Sequence, residues 1–270
     1  MFSSRRYSNP RSILITGASS GIGRALALHY AAPGITLFIT GRDQRRLEDV
    51  AEQCRSVGAF ASTWVGDVTD ESGMKGWITA CNDKQLLNLV IANAGVALGA
   101  TEVRELHRAA ADSFNINVNG VFNTVHPALE VMSARRAYPL RNAQVAVMSS
   151  VMGYAGMARS PAYSSSKAAI KHYGQALRGA FRGMGIGVSV ICPGYVSSAL
   201  TAGQTSNMPF LIGADKAADI IANGLAQNKA RITFPWQMVL LTRLAINLPG
   251  FLVDRLNQPW GVPKLEDEKR

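Results

Sequence analysis

Apolar runs of strand length recur along the chain and alternate with longer stretches punctuated by polar residues and glycine. Residues 12–16 (SILIT), 35–40 (ITLFIT), 60–65 (FASTWV), 86–92 (LLNLVIA), 143–149 (AQVAVMS) and 187–192 (GVSVIC) are the six clearest runs. Several are continuously apolar instead of alternating, the pattern of strands covered on both faces. Helix-length segments lie between them, among them 43–57 and 161–183. The alternation predicts an α/β fold, a doubly wound parallel sheet with helices on both faces. Right-handed crossovers leave few topologies for it. No internal repeat or low-complexity linker divides the pattern. We therefore read a tail over residues 1–11, one domain over 12–230, and over 231–270 an apolar helical appendage of that domain ending in a polar tail.

The appendage has its own character. Residues 232–253 carry one charge, Arg243, among Leu, Ile, Val and Trp. A bilayer span needs roughly 20 predominantly apolar residues, but Arg243, Pro235 and Pro249 interrupt this stretch, so a spanning helix is not expected. Two readings stay open. Residues 231–256 pack over the domain or in a subunit interface, or they form an interfacial helix pair anchored by Trp236, Arg243 and Trp260.

Composition adds a charge to explain. Of 270 residues 47% are hydrophobic and 17% charged, which excludes disorder, and 28 Lys and Arg against 18 Asp and Glu leave +10. Such an excess asks for an anionic partner: nucleic acid, an acidic membrane surface or a phosphorylated ligand. No zinc finger, recognition helix or aromatic-basic platform is present, so nucleic acid is not expected. Cys54, Cys81 and Cys192 are far apart, with no CxxC spacing and no nearby His, so neither a disulfide nor a metal site is expected and a reducing, cytoplasmic location fits. His29, His107, His126 and His172 show no ligand spacing and read as surface or packing residues. The short apolar run after Pro10 breaks at Gly17, so the basic start (Arg5, Arg6, Arg11) reads as a tail and not a cleaved signal.

The first strand runs straight into TGASSGIG (16–23) and then into a helix-like segment. Gly17, Gly21 and Gly23 stand at the head of a βαβ unit, where bare backbone allows a tight turn, a close approach to a pyrophosphate and tight helix packing. The helix that follows aims its N-terminal N–H groups at the anion. At the end of the second strand a carboxylate would suit a free ribose 2′-hydroxyl and an arginine a 2′-phosphate. The chain reads ITGRD there, and Arg42 supplies the fork for a phosphate while Asp43 is suited to cap the next helix. This favours NADP(H), with NAD(H) as the second choice.

Thirteen residues after Ser150 comes YSSSK, Tyr163 to Lys167. A Tyr and a Lys four apart share a helix face. The ammonium is expected to pull the phenol below its usual value of about 10, so that it exchanges a proton with a carbonyl or alcohol near neutral pH. Ser150 ends the fifth run, on the side of a parallel sheet where ligands bind.

Taken in order, TGASSGIG (16–23), DVT (67–69), ANAG (92–95), NVNG (117–120), SSVMG (149–153), YSSSK (163–167) and CPGYVSS (192–198) resemble the motifs of the short-chain dehydrogenase/reductase family, and cover residues from about 12 to 200. The resemblance implies a Rossmann-type domain with a seven-stranded parallel sheet, assembled as a homodimer or homotetramer. It also implies hydride transfer between a nicotinamide and a carbonyl or alcohol. Carried over by motif, Tyr163 is the general acid/base, and Lys167 binds the nicotinamide ribose and lowers the Tyr163 pKa. Ser150 orients the substrate oxygen, and Asn117 holds a water that links Lys167 to solvent. Gly17, Ser19, Ser20, Gly21, Ile22 and Gly23 would form the pyrophosphate loop. Asp67 and Val68 would meet the adenine, Asn93, Ala94 and Gly95 the adenine-ribose side, and Pro193, Gly194, Val196 and Ser198 the nicotinamide. Ala92 stands where the family commonly has Asn or Cys, and Ser198 where Thr is usual.

The loop 195–210 is small and apolar, with no Lys or Arg, which favours a neutral, mostly apolar carbonyl substrate. Residues 96–100, Met152, Tyr154 and Tyr195 are candidate substrate contacts, Met148 a core residue, and 205–208 a candidate lid. A rival reading keeps the fold but makes the protein a catalytically weak NADP(H) sensor that binds a partner; the intact Tyr163 and Lys167 count against it. For the charge excess left over by the dinucleotide phosphates, an anionic membrane surface met by the basic N-terminal tail (Arg5, Arg6, Arg11) and the apolar C-terminal segment is a better home than nucleic acid.

Overall fold

The computed structural model describes residues 7, 9–99, 103–135, 143–158, 160–197, 208–245 and 247–257. Seven parallel strands form one sheet in the order β3-β2-β1-β4-β5-β6-β7. They are β1 (Ser12–Thr16), β2 (Thr36–Gly41), β3 (Phe60–Val65), β4 (Leu89–Ala92), β5 (Gln144–Met148), β6 (Gly187–Pro193) and β7 (Arg231–Phe234). Every residue of β1, β2, β4, β5 and β6 is buried, which explains why these runs are apolar without alternation. The edge strands β3 and β7 keep exposed positions.

Alternate strand residues feed two cores. Ile13, Ile15, Leu37, Ile39 and Ile91 pack with helices α1 (Gly21–Tyr30), α2 (Gln44–Ser56) and α7 (Ala214–Ala226). Leu14, Phe38, Val90, Val145 and Val147 pack with α3 (Glu71–Lys84), α5 (Gly120–Ser133) and α6 (Pro161–Phe181). The expected doubly wound arrangement is therefore present. Asp43 caps α2 by accepting from the Arg46 amide at 2.9 Å, as its place in the sequence suggests. Helix α4 (Leu106–Phe114) passes into α5 through a turn of π-helix, Asn115–Asn119.

The six predicted runs match β1 to β6 within a few residues. The seventh strand was not among them: Arg231–Phe234 lies at the start of the segment read as an appendage, and it pairs with β6 from Val190↔Arg231 to Pro193↔Phe234. After Pro235 come two short helices, α8 (Trp236–Ala245) and α9 (Gly250–Asn257). Among the described residues no helix is long and apolar enough to cross a membrane.

Candidate active site

Between β1 and β4 the sheet order reverses, since β2 and β3 lie on one side and β5 to β7 on the other. A crevice opens there at the carboxyl ends of the strands. Thr16 closes its floor. Its Oγ1 accepts from the Asn93 and Ala94 amides at 3.0 and 3.1 Å, and Asn93 Nδ2 donates to the carbonyls of Thr16 and Gly17 at 2.9 and 3.2 Å. Packing here tolerates only glycine. A Cβ on Gly23 would lie 2.3 Å from the Gly17 carbonyl oxygen, and Gly17 and Gly21 adopt φ of +67° and +54°. Helix α1 has no acidic residue in its first turn and no side-chain cap, so its amides lead into the crevice unopposed.

The crevice widens into a cleft of about 620 Å³, within the range of small-molecule and cofactor sites. Gly17, Ser19, Ser20, Gly21 and Ile22 line it, as do Arg42, Asp67, Val68, Asn93, Ala94, Gly95, Ser150, Tyr163, Lys167, Pro193, Gly194 and Val196. Two predicted residues lie behind its wall. Gly23 packs under the Gly17 turn, and Asn117 is fully buried. Ser198 and the candidate lid 205–208 belong to or adjoin stretches outside the described residues; of the lid only Met208 is described.

The β4–β6 end is built from buried polar side chains bound to backbone. The Lys167 ammonium donates to the Met148 carbonyl at 3.0 Å, and Ser149 Oγ donates to the Lys167 carbonyl at 2.7 Å. Ser150 Oγ accepts from the Met152 amide at 3.1 Å, starting the short turn Val151–Tyr154. Asn117 sits in the π-turn. Its Oδ1 accepts from the Val96 amide at 2.8 Å, and its Nδ2 donates to the Val96 carbonyl at 2.9 Å and to Ser166 Oγ at 3.0 Å. Gly95 is wedged between the two, with room for a Cβ only 2.8 Å from Asn117 Oδ1 and 3.1 Å from Lys167 Nζ.

Burial governs the protonation of this pair, and one expectation is reversed. The Tyr163 phenol, which the neighbouring ammonium was expected to pull down, is pushed above its usual value by burial, and a hydrogen bond with Ser150 offsets this in part. Lys167 Nζ lies 5.7 Å from the Tyr163 ring centroid, and it is itself pushed down to about 8 by burial. Each neutral form gains because water is excluded from both.

Some residues enter the site that the sequence reading did not name. Thr40, Gly41, Asp43, Arg46, Gly66 and Ile116 also line the cleft. Arg46 stands one helical turn after Arg42, a spacing that could have signalled it. Arg42 itself reaches the Asp67 carboxylate at 3.7 Å across an exposed gap. Of the candidate substrate contacts Val96 lines the cleft, whereas Met152, Tyr154 and Tyr195 do not. Tyr154 is held elsewhere, its ring under the Lys171 ammonium at 4.0 Å and its hydroxyl 3.3 Å from Thr233 Oγ1. Met148, expected in the core, is 95% buried but its edge also faces the cleft. Among the described residues no group of three or more His, Cys, Asp or Glu could hold a metal ion.

A sequence model of the family described as short chain dehydrogenase matches residues 11–209. An uncharacterized oxidoreductase of Myxococcus xanthus is 35% identical over 246 residues, covering 90% of this chain and 95% of that protein. Among solved structures, a short-chain dehydrogenase/reductase of Burkholderia phymatum in complex with NAD superposes with a TM-score of 0.79 at 21% identity, over 97% of this chain and 99% of its own. A short-chain dehydrogenase of Sphingobium yanoikuyae in complex with NADPH gives 0.72 at 22%, over 88% and 96%. At these identities the two structures speak to the fold. The chain belongs to the short-chain dehydrogenase/reductase family, oxidoreductases that act on alcohols and ketones on a fold that binds NAD(P).

Proposed function

We propose that the protein is an NADP(H)-preferring oxidoreductase that moves a hydride between the nicotinamide and the carbonyl or secondary alcohol of a mostly apolar substrate, with Tyr163 as general acid/base. The observation that carries this reading is the distribution of charge in the cleft. Among the described residues Lys167 is the one charged lining residue at the β4–β6 end, while Arg42, Asp43, Arg46 and Asp67 all stand at the β2 and β3 end.

The residues fit a dinucleotide. Gly17 and Gly23 let the turn close tightly against its own backbone and Asn93, α1 directs its amides at the cleft, and Arg42 offers a fork for a 2′-phosphate. When bound, the cofactor supplies or accepts the hydride. Everything else falls to the chain. Ser150 orients the substrate oxygen. Burial keeps the Tyr163 phenol protonated at neutral pH, so it is ready to donate its proton to a carbonyl oxygen as that oxygen gains charge. Lys167, an ammonium below about pH 8, holds the nicotinamide ribose and stabilises the phenolate left after proton donation. Asn117 Oδ1 keeps a lone pair beyond its bond to Val96 and holds the water through which Lys167 recovers a proton. Val96 adds an apolar side chain to the substrate wall. Assembly as a homodimer or homotetramer and a cytoplasmic location belong to the same reading; three buried free thiols suit a reducing compartment.

Turnover of NADPH against a panel of ketones, aldehydes and quinones tests it. Oxidation of NADPH by at least one neutral carbonyl, with NADPH bound more tightly than NADH, is the expected result. Equal affinity for the two cofactors would remove the NADP(H) preference, and no turnover with any member of the panel would favour a sensor.

A further inference from the structure

Helices α8 and α9 each leave large apolar side chains uncovered. Trp236 is 70% exposed, Leu240 51%, Leu241 53%, Leu244 59% and Phe251 70%. Trp236, Leu240 and Leu244 recur every fourth residue, with Leu241 beside them, so α8 presents them as one face. The opposite side is anchored: Met238 and Pro235 pack at Gly194, which lines the cleft. Large side chains exposed together in this way mark a contact surface, whereas single exposed ones need no explanation.

We propose that α8 and α9 dock the protein on a lipid bilayer with anionic headgroups. Two observations favour that occupant. The first is composition: an exposed Trp opens α8, an amphipathic aromatic that settles at the headgroup level, and an exposed Phe near the start of α9 joins the leucines of α8 as the apolar side chains that an interfacial helix buries. The second is charge: residues 232–257 carry Arg243 and Arg255 against Asp254, on a chain of net charge +10. Because α8 begins against Gly194, docking brings the β6 end of the cleft to the surface from which an apolar substrate would come. That last step rests on the function proposed above; the docking does not.

Co-sedimentation of the full chain with phosphatidylglycerol/phosphatidylcholine vesicles at low salt tests the docking. Wild type is expected to sediment with them and to be released in part as salt rises. A Trp236→Ser/Leu241→Ser/Phe251→Ser variant is expected to bind at least about tenfold more weakly while turning over a small water-soluble carbonyl at the wild-type rate. Wild type remaining in the supernatant, or the variant sedimenting equally well, overturns the proposal. So does a wild-type oligomer that binds no vesicles and that the triple substitution dissociates, since the occupant would then be a second copy. Tyr163→Phe is expected to sediment like wild type whatever its activity, which separates this proposal from the catalytic one.

Discussion

The two ends of the cleft solve the problem of holding a ligand in opposite ways. At the β1–β2 end the chain packs without side chains in the way: Gly23 against the Gly17 carbonyl and Gly41 against the Ser19 side chain, with its charges, Arg42 and Asp67, at least partly in solvent. At the β4–β6 end it buries polar side chains and ties each to a carbonyl or amide: Lys167 to Met148, Ser149 to Lys167, Asn117 to Val96. One end is shaped by the absence of side chains and the other by their confinement. The first suits an extended anion that must lie against the chain, and the second suits proton chemistry, which gains from a dry, preorganised site.

That contrast predicts where substitutions hurt. The largest effect belongs to Tyr163→Phe, which removes one oxygen from the confined end. It should lower turnover about 10²- to 10⁴-fold while leaving NADPH affinity within about twofold, since the ring still packs; turnover that survived intact would dissolve the distinction.

Next is the pH dependence of stability. Lys167 is held near 8 in the fold, against about 10.4 in an unfolded chain. Between those values the unfolded state binds more protons, so the wild type should gain stability as pH rises from 8 toward 10 and carry the full penalty below 8. Relative to Lys167→Met the gain should approach about 3 kcal/mol, read from denaturant midpoints across that range; parallel curves for the two proteins would mean that Lys167 is not confined.

Smaller again is Gly23→Ala, whose methyl group would meet immovable backbone. A loss of about 1–3 kcal/mol in stability is expected, with cofactor affinity falling alongside. The least stability effect should come from Arg42→Ala. Its exposed pair with Asp67 is worth under about 1 kcal/mol, so the melting temperature should hardly move, whereas NADPH affinity should drop about tenfold or more and NADH affinity should not. A stability loss without a change in cofactor preference would reverse the assignment at this end.

Much of this was legible beforehand, for reasons that can be named. Strands β1, β2, β4, β5 and β6 announce themselves because burial on both faces demands apolar runs, and β3, which keeps exposed positions at the sheet edge, through its aromatic and β-branched residues. The glycine loop and the Tyr163–Lys167 pair are legible because their chemistry depends on local spacing. Strand β7 was not, since four residues at a sheet edge, followed by Pro235, carry no pattern distinct from the apolar helices behind them. Arg46 carries no motif of its own, and only the fold brings it to the cleft, where it also binds the Asp43 carboxylate at 2.7 Å.

By itself the sequence determined the layered α/β architecture, the dinucleotide loop and the Tyr163–Lys167 pair, because apolar runs, turn geometry and i to i+4 spacing are properties of short segments; Asn117 was legible only through the family resemblance. Only the tertiary structure decided how those groups are protonated and what α8 and α9 leave uncovered. Desolvation of Tyr163 and Lys167 and exposure of Trp236 and Phe251 both depend on which distant parts of the chain exclude water from a given side chain, and no local pattern records that.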